Sequence, residues 1–325
     1  MKSFKEIQSY VVEQLDKLQV IIEPKGLYEP IDYELKVGGK RLRPTLALFA
    51  CQCFAGSFEH AVKTALALEV FHNYTLMHDD VMDNADKRRN KPTVHKVWNL
   101  NTAILSGDAM MALSYKMLED TPDSCFKKVF SVFSEGVLGV DAGQQYDMEF
   151  ETRNDVKIDE YIDMVKLKTG VLIGTSLKVG AICGGASDAD AQKLYDFGMA
   201  VGVSFQLCDD LLDVYGDTKT FGKNIGGDIC CNKKTYLLLK AQQLAAGTPM
   251  ADELNRWLQM ENFNRDEKIK AVTDIYNKLG VDKHARSLMD KYYFDAIDAL
   301  KSSSISNECK AELEKVAAEL LKRNV

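Results

Sequence analysis

Apolar residues recur along this chain at intervals of three and four, the spacing that lines one face of a helix. Ser3-x-x-Glu6 opens the first such run with a capping-box pattern, in which each side chain satisfies a backbone donor near the other residue. Phe4, Ile7, Val11, Leu15 and Leu18 then form one apolar stripe. A second helix is expected to follow Pro44 and run to about Phe54. A third, from about Phe58 to Ala85, is apolar on most sides, as a helix in the middle of a bundle must be. Further helical patterns cover Asn101–Leu118, Cys125–Glu151, Asp159–Gly184, Ala189–Tyr215, Lys234–Ala245, Met250–Met260, Asp266–Leu279, Val281–Lys301 and Asn307–Lys322. The six prolines leave long stretches uninterrupted. No run alternates with the period of a strand, no Asn-Gly pair marks a hairpin, and no low-complexity linker divides the chain. The pattern predicts one all-α domain, residues 1–325, a single large helical bundle built around long central helices. The expected loops are Asn84–Val97, Thr121–Ser124, Asn154–Ile158 and Gly216–Lys233.

Composition narrows the function classes. The 325 residues are 46% apolar, enough for a large buried core. A net charge of -7 and a sequence pI near 5.4 argue against a nucleic-acid partner, which calls for a basic stripe. None of the eight cysteines forms a C-x-x-C pair, so no zinc or redox site is expected. Met1–Gln14 carries no apolar signal region, and free thiols fit the cytoplasm. The longest apolar stretch, Val171–Ala186, is interrupted by Lys178 and glycines, which argues against a membrane span.

Two aspartate clusters break the apolar pattern. In His78-Asp79-Asp80-Val81-Met82-Asp83, the outer aspartates are four apart and project from one helix face. Asp209, Asp210 and Asp213 repeat the spacing after Phe205-Gln206. Both clusters fall near helix C-termini, where the dipole and the like charge one turn away oppose carboxylates. Solvated helix-end carboxylates are one reading. The other is a pair of Mg²⁺ sites, since hard carboxylate oxygens suit that ion when substrate phosphates complete its shell.

Cations accompany each cluster. Gly38-Gly39-Lys40-Arg41-Leu42-Arg43-Pro44 places three of them between a glycine pair that admits a ligand and a helix-starting proline. Alone it reads equally as a basic loop. Asp86-Lys87-Arg88-Arg89 follows the first aspartates, and Lys223 and Lys233 follow the second. Lys168, in Lys168-Thr169-Gly170, interrupts an apolar helix, where a lysine is costly unless paired. Opposed carboxylates and cations suit a polyanionic, phosphate-bearing substrate.

In order and spacing, these motifs resemble the trans-prenyl diphosphate synthase (polyprenyl synthetase) family over nearly the whole chain. The resemblance implies the isoprenoid-synthase helical bundle with a central substrate cavity, and a homodimer. It implies that Asp79, Asp83 and Asp209 hold three Mg²⁺ ions against an allylic diphosphate, with Asp80, Asp210 and Asp213 in support. Arg88, Lys168 and Lys223 would bind that diphosphate, and Lys233 would close over it. Lys40, Arg43, His72 and Arg89 would bind isopentenyl diphosphate. A lone histidine on an apolar helix is ordinarily a core residue, so His72 takes this role from the resemblance; His78 and His95 read as structural. Thr169 and Gln206 would stabilise the carbocation, and Gln144 and Asp147 of Gly143-Gln144-x-x-Asp147 would support the first metal site.

The implied chemistry needs no protein nucleophile, in keeping with the lack of a Ser-His-Asp or Cys-His pattern. Its barrier is the charge separation of the breaking C–O bond, which pre-placed opposite charge lowers. Product length is expected to be short, C20 ahead of C15. On the helix that carries Asp79, Thr75 lies about 6 Å and Phe71 about 12 Å down the axis, at roughly 1.5 Å per residue. Thr75 is small and would let the tail pass, Tyr74 beside it would narrow the path from the side, and Phe71 returns near the same face; the other reading of Phe71 and Tyr74 is as core aromatics facing other helices. One aromatic residue beside an uninserted motif resembles geranylgeranyl synthases more than farnesyl or long-chain ones. The alternatives are a longer-chain synthase, a terpene cyclase, which has no need of Lys40 and Arg43, and a non-catalytic subunit, which would have lost charged motif residues.

Overall fold

The computed structural model describes residues 1–20, 22–216 and 225–321. Most of them are helical, as the periodicity predicts, and they divide into two compact units. Met1–Ser134 with Ser176–Gln192 form one, and Glu135–Thr175 with Lys193–Val325 the other.

The first unit holds α1 (Phe4–Asp16), α2 (Lys25–Lys36), α3 (Leu42–Ala55), α4 (Val62–Met82), the short α5 (Val94–Val97) and α6 (Leu100–Met117). The start of α7 (Asp123–Thr152), the end of α9 (Val171–Cys183) and the start of α10 (Asp188–Tyr215) also belong to it. The capping box forms as expected: the Ser3 hydroxyl accepts from the Glu6 N–H while the Glu6 carboxylate accepts from the Ser3 N–H. α4 packs along α6, and its Leu68, Val70 and Phe71 have no exposed surface. His78 joins the two helices through Nε2, 3.1 Å from the Ile104 carbonyl oxygen, in keeping with a structural role.

Several features of the first unit depart from the sequence reading. α2 is unforeseen, because Pro24, Gly26 and Pro30 mask it; Ile31, Glu34 and Leu35 bury its inner face at the cost of one missing helical hydrogen bond at Pro30. The helix expected from Phe58 begins instead with a tight turn, Glu59–Ala61, ahead of α4. The loop expected over Asn84–Val97 contains a two-stranded hairpin, β1 (Lys87–Arg88) and β2 (Lys91–Pro92), with Arg88 opposite Lys91. Its two turn residues, Arg89 and Asn90, both have positive φ (51° and 65°), which matches the twist of tight hairpins without an Asn-Gly pair.

The second unit holds the rest of α7, α9 and α10, with α8 (Ile158–Val165), α11 (Gly227–Cys230), α12 (Tyr236–Ala245), α13 (Pro249–Gln259), α14 (Arg265–Leu279), α15 (Val281–Ser302) and α16 (Asn307–Leu321). Its core gathers Val203, Leu207 and Leu211 of α10 with Leu238 of α12, Val272 of α14 and Val281 of α15. The continuous helix expected over Asp159–Gly184 is interrupted by a π-turn at Lys166–Gly170, closed by a bond from the Val171 N–H to the Lys166 carbonyl. Such turns insert one residue into a helix and recur at functional sites. No helix among the described residues is long and apolar enough to cross a membrane.

Candidate active site

The first aspartate cluster ends α4, where Asp79 lies in the last turn and Asp83 is the C-cap. The middle residue differs from its neighbours. Asp80 is 2% exposed, and both its oxygens accept from Arg88 Nε at 2.9 Å. Arg88 Nη2 reaches Asp79 Oδ2 at 3.1 Å, so β1 is bound to the end of α4 by one forked cation. Burial opposes the charge on Arg88, but Asp80 and Asp79 outweigh it and raise its pKa. Asp79 stays partly exposed, and Asp83 is exposed.

The glycine–arginine run separates into three roles. Gly38, Gly39 and Arg41 all have positive φ (101°, 133° and 49°), so the chain turns sharply before α3. A Cβ on Gly39 would lie 2.5 Å from the Arg89 guanidinium, which could swing aside, so glycine is needed there for its backbone conformation. Arg41 is buried: it pairs with Glu69 at 2.7 Å and bonds the Leu35 carbonyl, while Asn73 Nδ2 lies 3.1 Å from the same Glu69 oxygen. It anchors the loop. Lys40 is exposed, with its carbonyl accepting from Gln8 Nε2 at 2.5 Å.

Arg43 Nη1 lies 3.0 Å from His72 Nε2, which brings together two of the residues assigned to isopentenyl diphosphate. Burial, then the positive charge of Arg43, holds the His72 pKa well below its ordinary value, so the ring is neutral and Nε2 accepts from Arg43. That leaves Nδ1–H as a donor. Burial lowers Arg43 to about 10, still charged at neutral pH. Sequence reasoning missed Glu34 of α2, 2% exposed, whose Oε1 has no hydrogen-bond partner among the described residues. Burial and Asp80 push its pKa up to about 7 against the pull of Arg88, Arg89 and Arg41.

In the second unit the π-turn gathers the remaining motifs. A Cβ on Gly143 would lie 2.3 Å from the Lys168 backbone nitrogen, so only glycine lets α7 approach the turn this closely. One turn along α7, Asp147 Oδ2 meets Lys168 Nζ at 2.6 Å and lies 3.9 Å from Lys233 Nζ. Burial would raise the Asp147 pKa, but the two lysines together lower it. Thr169 Oγ1 donates to Gln206 Oε1 at 3.3 Å, and Gln206 Nε2 donates to Asp210 Oδ1 at 3.1 Å. The other oxygen of Asp210 accepts from the Tyr161 hydroxyl. Burial and Asp228 raise Asp210 to about 7, against those two bonds. Tyr161, 2% exposed on α8, was missed: its signal is position alone, seven residues before Lys168. Asp213 accepts from the Asp228 N–H at 3.0 Å and is also buried, whereas Asp209 keeps solvent-facing surface. Lys223 lies outside the described residues.

Burial therefore divides each cluster into enclosed carboxylates held by protein donors and outer ones. Among the described residues, no three His, Cys, Asp or Glu side chains stand close enough to hold a metal ion alone. Magnesium is commonly held by one or two carboxylates plus substrate phosphate and water, and the donor chemistry of the outer carboxylates, Asp79 and Asp83 in the first unit and Asp209 in the second, suits a hard cation of that kind. The residues expected to limit product length lie in an aromatic cluster. Phe71 has no exposed surface, with ring centroids 5.6 Å from Tyr74 and 5.8 Å from Phe133. Tyr115 of α6 backs Phe133 at 5.2 Å. Thr75 donates its hydroxyl to the His72 carbonyl of its own helix.

An all-α chain with paired acidic clusters and matching cations belongs to the class of enzymes that handle prenyl diphosphates. Residues 24–276 match the polyprenyl synthetase family, and the chain belongs to that family. It is 35% identical over 317 residues to a geranylgeranyl diphosphate synthase of Sulfolobus acidocaldarius, covering 96% of this chain and 92% of that protein. A crystal structure of a geranylgeranyl pyrophosphate synthase superimposes over the full length of both chains, with a TM-score of 0.95 and 42% identity. A polyprenyl synthase from Caulobacter crescentus CB15, complexed with calcium and isoprenyl diphosphate, superimposes over the full length of both chains, with a TM-score of 0.86 and 25% identity.

Proposed function

We propose that this chain condenses an allylic diphosphate with isopentenyl diphosphate and stops at the C20 product. The observation that carries the reading is the Arg43–His72 pair, a second phosphate-binding set in the same unit as Asp79 and Arg88. A terpene cyclase uses one diphosphate and has no need of it. A non-catalytic subunit would not keep both sets. Arg43, the Nδ1–H of neutral His72, Lys40 and Arg89 hold isopentenyl diphosphate. Arg88, Lys168, Lys223 and Lys233 hold the allylic diphosphate, with Asp79, Asp83 and Asp209 as carboxylate ligands to the divalent cations that accompany it. Three Mg²⁺ ions, when bound, would neutralise the leaving diphosphate as the allylic C–O bond breaks. Thr169 and Gln206 turn their oxygens toward the carbocation. The isopentenyl double bond attacks that cation, and the released diphosphate takes the proton lost in forming the new double bond.

Phe71 and Tyr74, backed by Phe133, are read as the floor that ends elongation. The whole of 1–325 is read as one catalytic domain, because the family match draws on both compact units. A homodimer in the cytoplasm is the proposed working form; Ile104 of α6 and Phe130 of α7 are 41% and 43% exposed, and all eight cysteines are free thiols. The test is incubation with radiolabelled isopentenyl diphosphate and C5, C10 or C15 starters, with product chain length read by chromatography. Wild type is expected to stop at C20, and Phe71→Ala or Tyr74→Ala to run longer. Asp79→Ala and Asp209→Ala are expected to lose at least about 10²-fold in turnover, the scale of one lost electrostatic contact to the transition state. A wild-type product of C30 or more sinks the floor assignment, and near-normal turnover in either aspartate variant sinks the cation assignment.

A further inference from the structure

Lys268 of α14 has no exposed surface at all. An apolar side chain would fill the same space without desolvating a charge, so packing does not explain a lysine there. Its ammonium lies 2.8 Å from Asn232 Oδ1, 3.5 Å from the Cys230 carbonyl oxygen and 4.1 Å from the centroid of the Phe263 ring. Two oxygens and one aromatic face thus surround it, and both oxygens belong to the short segment that leads into Lys233. Burial lowers its pKa, against the pull of Cys230 and Cys231.

That segment is tied at both ends. At its start the Gly226 and Asp228 N–H groups donate to the carbonyl and carboxylate of Asp213, at 2.6 and 3.0 Å. Arg265, one turn before Lys268 on α14, donates to the Ile225 carbonyl at 3.2 Å. At its end Asn232 has φ +52°, a left-handed conformation that asparagine tolerates better than most residues. Both ends of its amide are engaged: Oδ1 accepts from Lys268, and Nδ2 donates 2.8 Å to the Leu258 carbonyl at the end of α13. Lys233 follows directly, with its own N–H 2.9 Å from the Asp228 carbonyl and its ammonium 3.9 Å from Asp147.

We propose that Lys268 is a positioning residue which, by fixing Asn232, sets the place of Lys233 and so the affinity for the allylic diphosphate. The proposal rests on the reading of Lys233 as an allylic-diphosphate ligand. Its test compares Lys268→Met, Lys233→Ala and the double variant by steady-state kinetics in both substrates, with thermal midpoints recorded alongside. Lys268→Met fills the buried space and removes only the charge and its bonds. It is expected to raise the allylic KM about tenfold, a modest loss of binding, while the isopentenyl KM stays within about twofold. Lys233→Ala is expected to do the same, and the double variant to add little, because both act on one contact. Should Lys268→Met not fold, Asn232→Gly keeps the left-handed backbone, removes the acceptor and is expected to show the same split. An unchanged allylic KM in Lys268→Met or Asn232→Gly beside a raised one in Lys233→Ala overturns the proposal. So does an equal rise in both KM values, the mark of general loosening. An unchanged allylic KM in Lys233→Ala overturns the reading of Lys233 itself, and the proposal with it.

Discussion

Residues of one type divide by environment. Arg41 and Arg43 stand two apart in one basic run. Arg41 is buried against Glu69, an anchor whose loss leaves that carboxylate uncompensated at a cost of about 3–5 kcal/mol. Among the described residues, Arg43 bonds a neutral histidine through its guanidinium, and its buried Nε has no hydrogen-bond partner. An arginine so placed keeps its charge for a ligand. Arg88, by contrast, already answers Asp79 and Asp80 at the end of α4. Arg43→Ala is therefore expected to raise the isopentenyl KM at least tenfold, roughly the loss of one charge-assisted bond, with the allylic KM little changed. Arg88→Ala is expected to do more harm on the allylic side. Steady-state kinetics showing the reverse would mean that the two phosphate sites are exchanged.

Among the elements, the π-turn at Lys166–Gly170 has the largest consequence. A regular helix through these residues would carry the side chains after the turn about 100° away from their present directions, given roughly 3.6 residues per turn. With the extra residue, Lys168 meets Asp147 and Thr169 meets Gln206. The turn is held from outside by α7, whose Gly143 lies against the Lys168 backbone. Gly143→Ala cannot be absorbed by a side-chain rotation, because its contact is with backbone. It is expected to cost about 1–3 kcal/mol of stability, the usual cost of overpacking, and to lower kcat about tenfold or more. Chemical denaturation and turnover measured on the same preparation check both parts. Full activity in Gly143→Ala would show that the turn tolerates displacement.

For the molecule as a whole, Ile104 of α6 and Phe130 of α7 leave apolar surface in contact with water, and the rings of Tyr115 and Phe130, 5.6 Å apart, place the two helices side by side in the first unit. The homodimer proposed above would bury this surface. An Ile104→Asp/Phe130→Asp variant is expected to sediment as a 36.4 kDa monomer where wild type sediments as a dimer. A monomeric wild type would remove the homodimer from the proposed working form.

How much of this was legible from the residues varies with range. The chemical inventory was: acidic clusters at i and i+4, the Gly-Gly-Lys-Arg-x-Arg-Pro run and the lysine inside an apolar helix are patterns of neighbouring residues; they pointed to a phosphate-bearing substrate, and the family resemblance they carry implied the reaction class. Helix content was legible too, because a 3.6-residue period is local. The α2 helix was not, since Pro24, Gly26 and Pro30 speak against a helix locally and only burial of Ile31 and Leu35 overrides them. Nor was the Arg89-Asn90 hairpin, whose turn lacks glycine. The sequence by itself determined which groups are present and that the two aspartate clusters end long apolar helices. Tertiary structure alone decided which carboxylates are enclosed and which face solvent, that Tyr161 holds Asp210, and that Lys268 grips Asn232 across 36 positions of chain. The reason is that burial and hydrogen-bond partnership depend on segments far apart in sequence, and no local period records them.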